Sequence, residues 1–324
     1  MREKLNLYTH DGIFHADDVF ACAMLSLTAE EINVVRGSDT EIPEEGDWIV
    51  FDIGGGELDH HTPENKENNG THPGTEIPYA ACGLVWKKYH EEILEAMDCP
   101  KRYMDSVYQK LETSLVLGID AEDNAFNPTA KAMEAFVNVS DDLKKNALNA
   151  SRTSFTVSQV IKDFNPTWNS GIDSYDAFMD AVSFAKDILI NRIDSLISSL
   201  DGRDYVLRCI DYSADHIMIM DEFAPWEGVL YSQYRNPKAN DIWYVVSPAL
   251  RGGWNVQCAL SDSNDRTSYR HPLPAEWYGL RYEDLQKASG IATAVFCHAS
   301  GFLAGCETES DAIGMAEKAA RMKQ

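Results

Sequence analysis

At 324 residues, 44% apolar and 10% aromatic, the chain has the composition of a soluble globular protein and enough length for two ordinary domains, which is the expectation. A net charge of −24 excludes a generic nucleic-acid coating protein, because a polyanion is repelled unless a local basic cleft or bound cations offset the field. No stretch approaches the roughly 18 consecutive apolar residues of a membrane span. The start, MREKLNLYTHDG, reads as a first strand rather than a signal peptide, so a cytoplasmic or other intracellular protein with no membrane partner is expected.

LNLYT, INVVRG and DWIVFDI are short β-rich runs, and the nearly all-apolar DDVFACAMLSLTAEE between the first two has the length of a helix. Strand, buried helix, strand and strand predict an α/β fold with an open, largely parallel sheet and covering helices, whose ligands sit beyond the carboxyl ends of the strands. IPYAACGLVWKKYHEEILEAM and KRYMDSVYQKLETSLVLGIDAEDN follow as amphipathic helices. The stretch from about 140 to 200 reads as mostly helical with a break at Asn165-Pro166, and it ends in the bridge-like DAVSFAKDILINRIDSLISSLDGRD. After Gly202, the segments YVLRCI, HIMIM, GVLYSQY, DIWYVVS and WNVQCAL read as strands, and two short helices near Tyr282–Lys287 and Ser310–Lys323 close the chain. The expected organisation is a domain over about 1–180, a helical linker over 181–202 and a smaller α+β domain over 203–324. Seven scattered cysteines without a CxxC pair are expected as buried thiols, not as disulfides or a thiolate zinc site.

Chemistry concentrates at turns after the apolar runs. YTHDGIFHADD carries His10, Asp11, His15, Asp17 and Asp18 at a strand-to-helix turn, where they could face one cation or where an aspartate could simply cap the helix. Asp52 ends the third strand and is followed by three glycines; a buried carboxylate there is costly unless paired or metal-bound. Asp59-His60-His61 comes seven residues on, and Asp120 with Asp123 lies in LGIDAEDN. Four such turns expected at one sheet edge point to a two-metal site, and the imidazole–carboxylate mixture suits Mn²⁺ first, then Mg²⁺ or Co²⁺.

His15-x-Asp17, Asp52, Asp59-His60-His61 and Asp120 resemble the four motifs of the DHH phosphoesterase superfamily. Within it, THDGIFHADD, FDIGGGELDHH, IDAEDN, DEFAPW, LPAEWYGLRYEDLQKASGI and FCHASGF resemble the melanocyte-proliferating-gene exonuclease family along nearly the whole chain. The resemblance implies a DHH domain joined by the helical linker to a substrate-binding domain, with the active site in the cleft between them. It implies that His10, His15 and Asp52 hold one metal, and that Asp17, Asp52, His60 and Asp120 hold the second, with Asp52 bridging. His61 would orient substrate or act as an acid near the leaving oxygen, and Asp59 would hold an imidazole in its required tautomer. Asp123 competes with Asp120 for the fourth motif, and spacing does not choose between them. Where family members commonly carry Gln-Arg after the DHH triplet, this chain has Thr62-Pro63, which puts substrate length preference in doubt. The loop PENKENNGTHPGTE is unusually polar, and His72 within it is expected to be solvated.

In the second domain, His298, Ser300 and Gly301 of FCHASGF form a turn suited to phosphate oxygens, against the plainer reading of His298 as a core histidine. Arg251, Arg270 and Arg281 are candidate phosphate clamps or surface ion-pair partners. Trp226, Trp243, Trp254 and Trp277 are expected in the core rather than stacked on bases. The function expected is a divalent-metal-dependent phosphodiesterase, a 3′-to-5′ exonuclease on RNA or short oligonucleotides acting through two-metal activation of water. The alternatives are a phosphohydrolase of a dinucleotide or pyrophosphate, and a metal-stabilised binding protein without turnover. Oligomeric state is left open, a homo-oligomer included.

Overall fold

The computed structural model describes residues 2–126, 140–152 and 155–322, and the chain divides into two compact units, 1–197 and 198–324.

In the first unit, β1 (Arg2–His10), β2 (Ala29–Gly37) and β3 (Trp48–Val50) form a parallel sheet in the order β2-β1-β3. Pairing of Tyr8 with Val50 and of His10 with Gly37 brings the carboxyl ends of all three strands to one edge. Every residue of α1 (Ala16–Ser26) is buried, which explains why ADDVFACAMLS has no polar face. Burying a side chain such as Phe20, Met24 or Leu25 contributes about 1.5–3 kcal/mol. This anchors the helix that carries Asp17 and Asp18.

The expected polar loop after the DHH triplet contains a helix, α2 (Pro63–Asn69), whose start is capped by Thr62 Oγ1 accepting from the Asn65 amide at 3.1 Å. α3 (Ala81–Ala96) and α4 (Met104–Leu111) follow, and α5 (Leu117–Asp123) is reached through a π-helical stretch, Glu112–Val116. α6 (Asp141–Arg152) and α7 (Val157–Asp163) precede the break at Asn165-Pro166, and α8 runs from Ser174 to Tyr212. Two expected strands are helical. YVLRCI continues α8, because Val206 and Ile210, four residues apart, both enter one apolar cluster. GVLYSQY falls largely in α9 (Trp226–Ser232), where Trp226 and Leu230 share the buried face.

The second unit holds β4 (Ile217–Ile219), α10 (Pro237–Asp241), β5 (Tyr244–Pro248), β6 (Trp254–Cys258), α11 (Tyr282–Ser289), β7 (Ala294–Cys297), β8 (Leu303–Cys306) and α12 (Glu309–Arg321). Lys323, expected in the last helix, lies outside the described residues. The sheet order is β4-β5-β6-β8-β7, with β4 parallel to β5 and the other pairs antiparallel. Alternation along β5 separates two cores: Tyr244 and Val246 pack with Trp277 and Met315, whereas Val245 packs with Met218 and Leu230. All seven cysteines are free and six are buried. Among the described residues no helix is long and apolar enough to cross a membrane.

Candidate metal centre

The site grows from the carboxyl ends of β1 and β3. At the end of β2, Arg36 donates from Nε to the His10 carbonyl and from Nη2 to that of Gly12, both at 3.1 Å, and its guanidinium lies over the Phe178 ring. Gly12 turns with φ 81°, which suits glycine. Asp18 closes the start of α1, its Oδ1 accepting from the amides of His15 at 2.9 Å and Val19 at 2.7 Å. One of the two adjacent aspartates is therefore partly a cap, while both carboxylate oxygens of Asp17 are buried without a hydrogen-bond partner.

Just past β3, Asp52 adopts the left-handed conformation, φ 59°, uncommon outside glycine, and its amide donates to the Leu58 carbonyl. The glycine turn then lets Gly55 N donate to Asp59 Oδ2 at 2.8 Å. Asp59 Oδ1 accepts from the His61 amide at 2.9 Å and lies 2.8 Å from His61 Nδ1. These bonds outweigh burial and hold the Asp59 carboxyl down at about 2, and Asp59 in turn raises the half-exposed His61 imidazole.

Asp52 is the hub of the cluster. Its Oδ2 lies 3.3 Å from His10 Nε2, and its Oδ1 lies 3.3 Å from His60 Nδ1 and 3.6 Å from His61 Nδ1. His10 Nε2 is also 3.2 Å from Asp18 Oδ2, and His60 Nε2 is 2.9 Å from Asp123 Oδ2. Three sets offer ligand atoms that lie within 4.8 Å of one another: His10, Asp18 and Asp52; Asp52, Asp59, His60 and His61; and His15, Asp17 and Asp123.

A divalent cation fits this set. Both oxygens of Asp17, Asp18 Oδ2, Asp52 Oδ1 and His60 Nδ1 are buried and make no well-formed hydrogen bond, only ion contacts such as His10 Nε2–Asp18 Oδ2 at 3.2 Å and His60 Nδ1–Asp17 Oδ2 at 3.9 Å, a state costly to leave without a further partner. Burial, then Asp52 and its acidic neighbours, push the Asp17 carboxyl far above the carboxylate range, and burial also raises Asp52. At His10 burial opposes the charge, but bonds to Asp18 and Asp52 prevail and raise the imidazole to about 10. A bound cation reverses this logic and favours ionised carboxylates and neutral imidazoles. The donors are all nitrogen and oxygen, as Mn²⁺ and its harder neighbours prefer.

His10, His15, Asp17, Asp52, Asp59, His60 and His61 come together here, and Asp120 does not. Asp120 Oδ1 accepts from Gly83 N at 3.1 Å, and Oδ2 accepts from Ala80 N and meets His72 Nε2, both at 2.9 Å. Asp18 and Asp123 are the acidic residues found in its place, and helical spacing alone carried no signal to separate Asp123 from Asp120. His72, expected to be solvated, is 1% exposed, because Glu112 on the π-helical stretch and Asp120 hold its two ring nitrogens at 2.5 and 2.9 Å.

In the second unit, His298 and Ser300 are exposed on the β7–β8 turn, where His298 Nδ1 accepts from the Ser300 amide at 3.1 Å. Gly301 has φ 65°, and a Cβ there would strike the Tyr278 ring. Arg270 is committed inward, donating to the carbonyls of Leu260, Ala239 and Ile242, which leaves little of its fork for a phosphate. Arg251 and Arg281 are exposed, and Arg251 lines a cavity of about 460 Å³ with Phe223, Trp254 and Phe296. Trp226 and Trp277 are buried, while Trp243 and Trp254 pack partly buried against the core.

A family model named MYG1_exonuc, described as Uncharacterised protein family (UPF0160), matches residues 6–320. The MYG1 protein of Dictyostelium discoideum is 28% identical over 334 residues, covering 97% of this chain and 96% of that protein. The MYG1 exonucleases of Mus musculus and Homo sapiens are each 29% identical, covering 95% of this chain and 83% and 84% of theirs. No solved structure matches.

Proposed function

Because the chain belongs to the MYG1_exonuc family, we propose that it is a divalent-metal-dependent phosphodiesterase that removes nucleotides from the 3′ end of RNA or short oligonucleotides. The observation that carries this reading is the set of buried ligand atoms of Asp17, Asp18, Asp52 and His60 that make no well-formed hydrogen bond at one sheet edge. The exonuclease names of the mouse and human relatives support its direction toward nucleic acid.

Residues of the three sets would hold two ions, Mn²⁺ before Mg²⁺ or Co²⁺, with Asp52 shared between sets. When bound, the ions supply Lewis-acid polarisation of a phosphoryl oxygen and a water acidic enough to attack it. They also offset the chain's charge of −24 around an anionic substrate. Asp59 Oδ1, 2.8 Å from His61 Nδ1, keeps a proton on that nitrogen and fixes the ring orientation. In this reading His61 exchanges a proton at Nε2 with the leaving oxygen. Arg36 and Asp18 keep His10 and His15 at the sheet edge by holding the backbone on either side of Gly12.

The test is a product ladder from RNA labelled at its 5′ end, with Mn²⁺ or EDTA, beside a dinucleotide and pyrophosphate. The proposal expects Mn²⁺-dependent shortening one nucleotide at a time from the 3′ end. Cleavage of the dinucleotide or pyrophosphate alone would replace it with a small-substrate phosphohydrolase, and no cleavage at all would leave a metal-stabilised binding protein.

A further inference from the structure

One flank of the metal centre carries a cation that the cluster itself does not use. A cavity of about 260 Å³ is lined by His15, Glu122 and Asp123 together with Ser158 and Lys162 of α7. Ser158 and Lys162 are four residues apart, so both face the same way from the helix. The exposed Lys162 ammonium makes no hydrogen bond or ion pair among the described residues, although Glu122 and Asp123 line the same space.

The placement of α7 is built at both ends. At its start, Thr156 Oγ1 donates to Glu122 Oε2 at 2.7 Å, which ties it to the segment bearing Asp123. Beyond its end, the Asn165 side chain clasps the backbone of Phe14: Oδ1 accepts from Phe14 N at 3.0 Å and Nδ2 donates to Phe14 O at 2.9 Å. Phe14 directly precedes His15. The two segments that supply His15 and Asp123 are thus the two to which α7 is fastened, and Lys162 lines the cavity together with them.

We propose that this cavity is the seat of a substrate phosphate and that Lys162 is its cationic contact, with Ser158 as a hydroxyl donor. The proposal rests on the phosphodiesterase reading and adds the group that receives the anion. An ammonium beside a carboxylate cluster gives an incoming phosphate a counter-charge the bare acidic edge lacks. The volume falls below the roughly 300–1,000 Å³ of pockets that engulf a whole ligand, which suits one phosphate and part of its sugar. Lys162 is a binding residue here and leaves the reacting atoms to the metal centre.

The experiment compares wild type with Lys162→Gln and Lys162→Arg, all loaded with Mn²⁺. Calorimetry measures Mn²⁺ stoichiometry and adenosine 5′-monophosphate binding, and steady-state hydrolysis of a short RNA gives KM and kcat. Lys162→Gln is expected to weaken nucleotide binding and raise KM by about tenfold to a hundredfold, the worth of one charge-assisted hydrogen bond. Its kcat and Mn²⁺ stoichiometry should stay unchanged, and Lys162→Arg should restore most of the binding. Equal nucleotide binding by wild type and Lys162→Gln, no binding by wild type, or a parallel loss of Mn²⁺ would each overturn the proposal. If wild type hydrolyses no RNA while nucleotide binding still depends on Lys162, the phosphodiesterase reading falls and the phosphate seat stands. If wild type hydrolyses RNA and Lys162→Gln leaves KM unchanged, only the seat falls.

Discussion

Asp120 and Asp123 lie three residues apart on α5 and serve different partners: Asp120 Oδ2 is 2.9 Å from His72 Nε2, and Asp123 Oδ2 is 2.9 Å from His60 Nε2. Their amide variants should therefore fail differently. Asp123→Asn should lower Mn²⁺ affinity while the apo protein melts near the wild-type temperature. Asp120→Asn should lose about 3 kcal/mol of stability, because it strips a partner from buried His72. Calorimetric titration and denaturant unfolding of the two variants check this, and identical behaviour would contradict the division of labour.

Metal should act on the fold as well as on the chemistry. Mn²⁺ at about 100 times its dissociation constant should stabilise the protein by about 2.7 kcal/mol. For a unit the size of 1–197 that corresponds to a rise in melting temperature of roughly 5–10 °C, reversed by EDTA. A thermal scan with no Mn²⁺-dependent shift would speak against occupancy of the buried carboxylates.

A pH dependence follows from His72. Burial disfavours its charged form, but Asp120 and Glu112 outweigh that and raise its folded value from 6.5 to about 9. A folded value above the unfolded one means that the stabilisation is fully present below pH 6.5 and is lost as pH rises through about 9. The free energy of unfolding should fall over that window in wild type and change less in His72→Gln. Equal slopes would place the proton elsewhere.

Asp59 meets His61, Gly55 and the amide of His61 more closely than it meets any other imidazole of the cluster. Asp59→Asn is therefore expected to keep its Mn²⁺ content and to slow hydrolysis by about 10–100-fold, as loss of an orienting carboxylate does. Metal analysis alongside the rate decides: loss of an ion with the activity would make Asp59 a ligand.

What could be read from the sequence was what local chemistry determines. The three strands and α1 were legible because their apolar runs are short, or long enough for a helix, and bounded by polar turns. His10, His15, Asp17, Asp52 and Asp59-His60-His61 were legible as a set because parallel strands deliver their following turns to one edge. The choice between Asp120 and Asp123 was not, since it depends on where Gly83, Ala80 and His72 stand around α5. His72 looked solvated among polar neighbours, and its burial is imposed by Glu112 from forty residues away. YVLRCI has a strand's composition, yet α8 already runs into it and Val206 and Ile210 bury along one helical face. Arg270 resembled a phosphate clamp until three carbonyls, supplied by the fold, took up its donors.

The central claim is that Asp52 joins the donor sets of a metal centre, and titration of apo wild type and Asp52→Asn with Mn²⁺ tests it most directly. The account predicts two ions per wild-type chain, and in Asp52→Asn the loss of at least one of them with a folded protein by circular dichroism. Two ions bound with unchanged affinity by Asp52→Asn would contradict it.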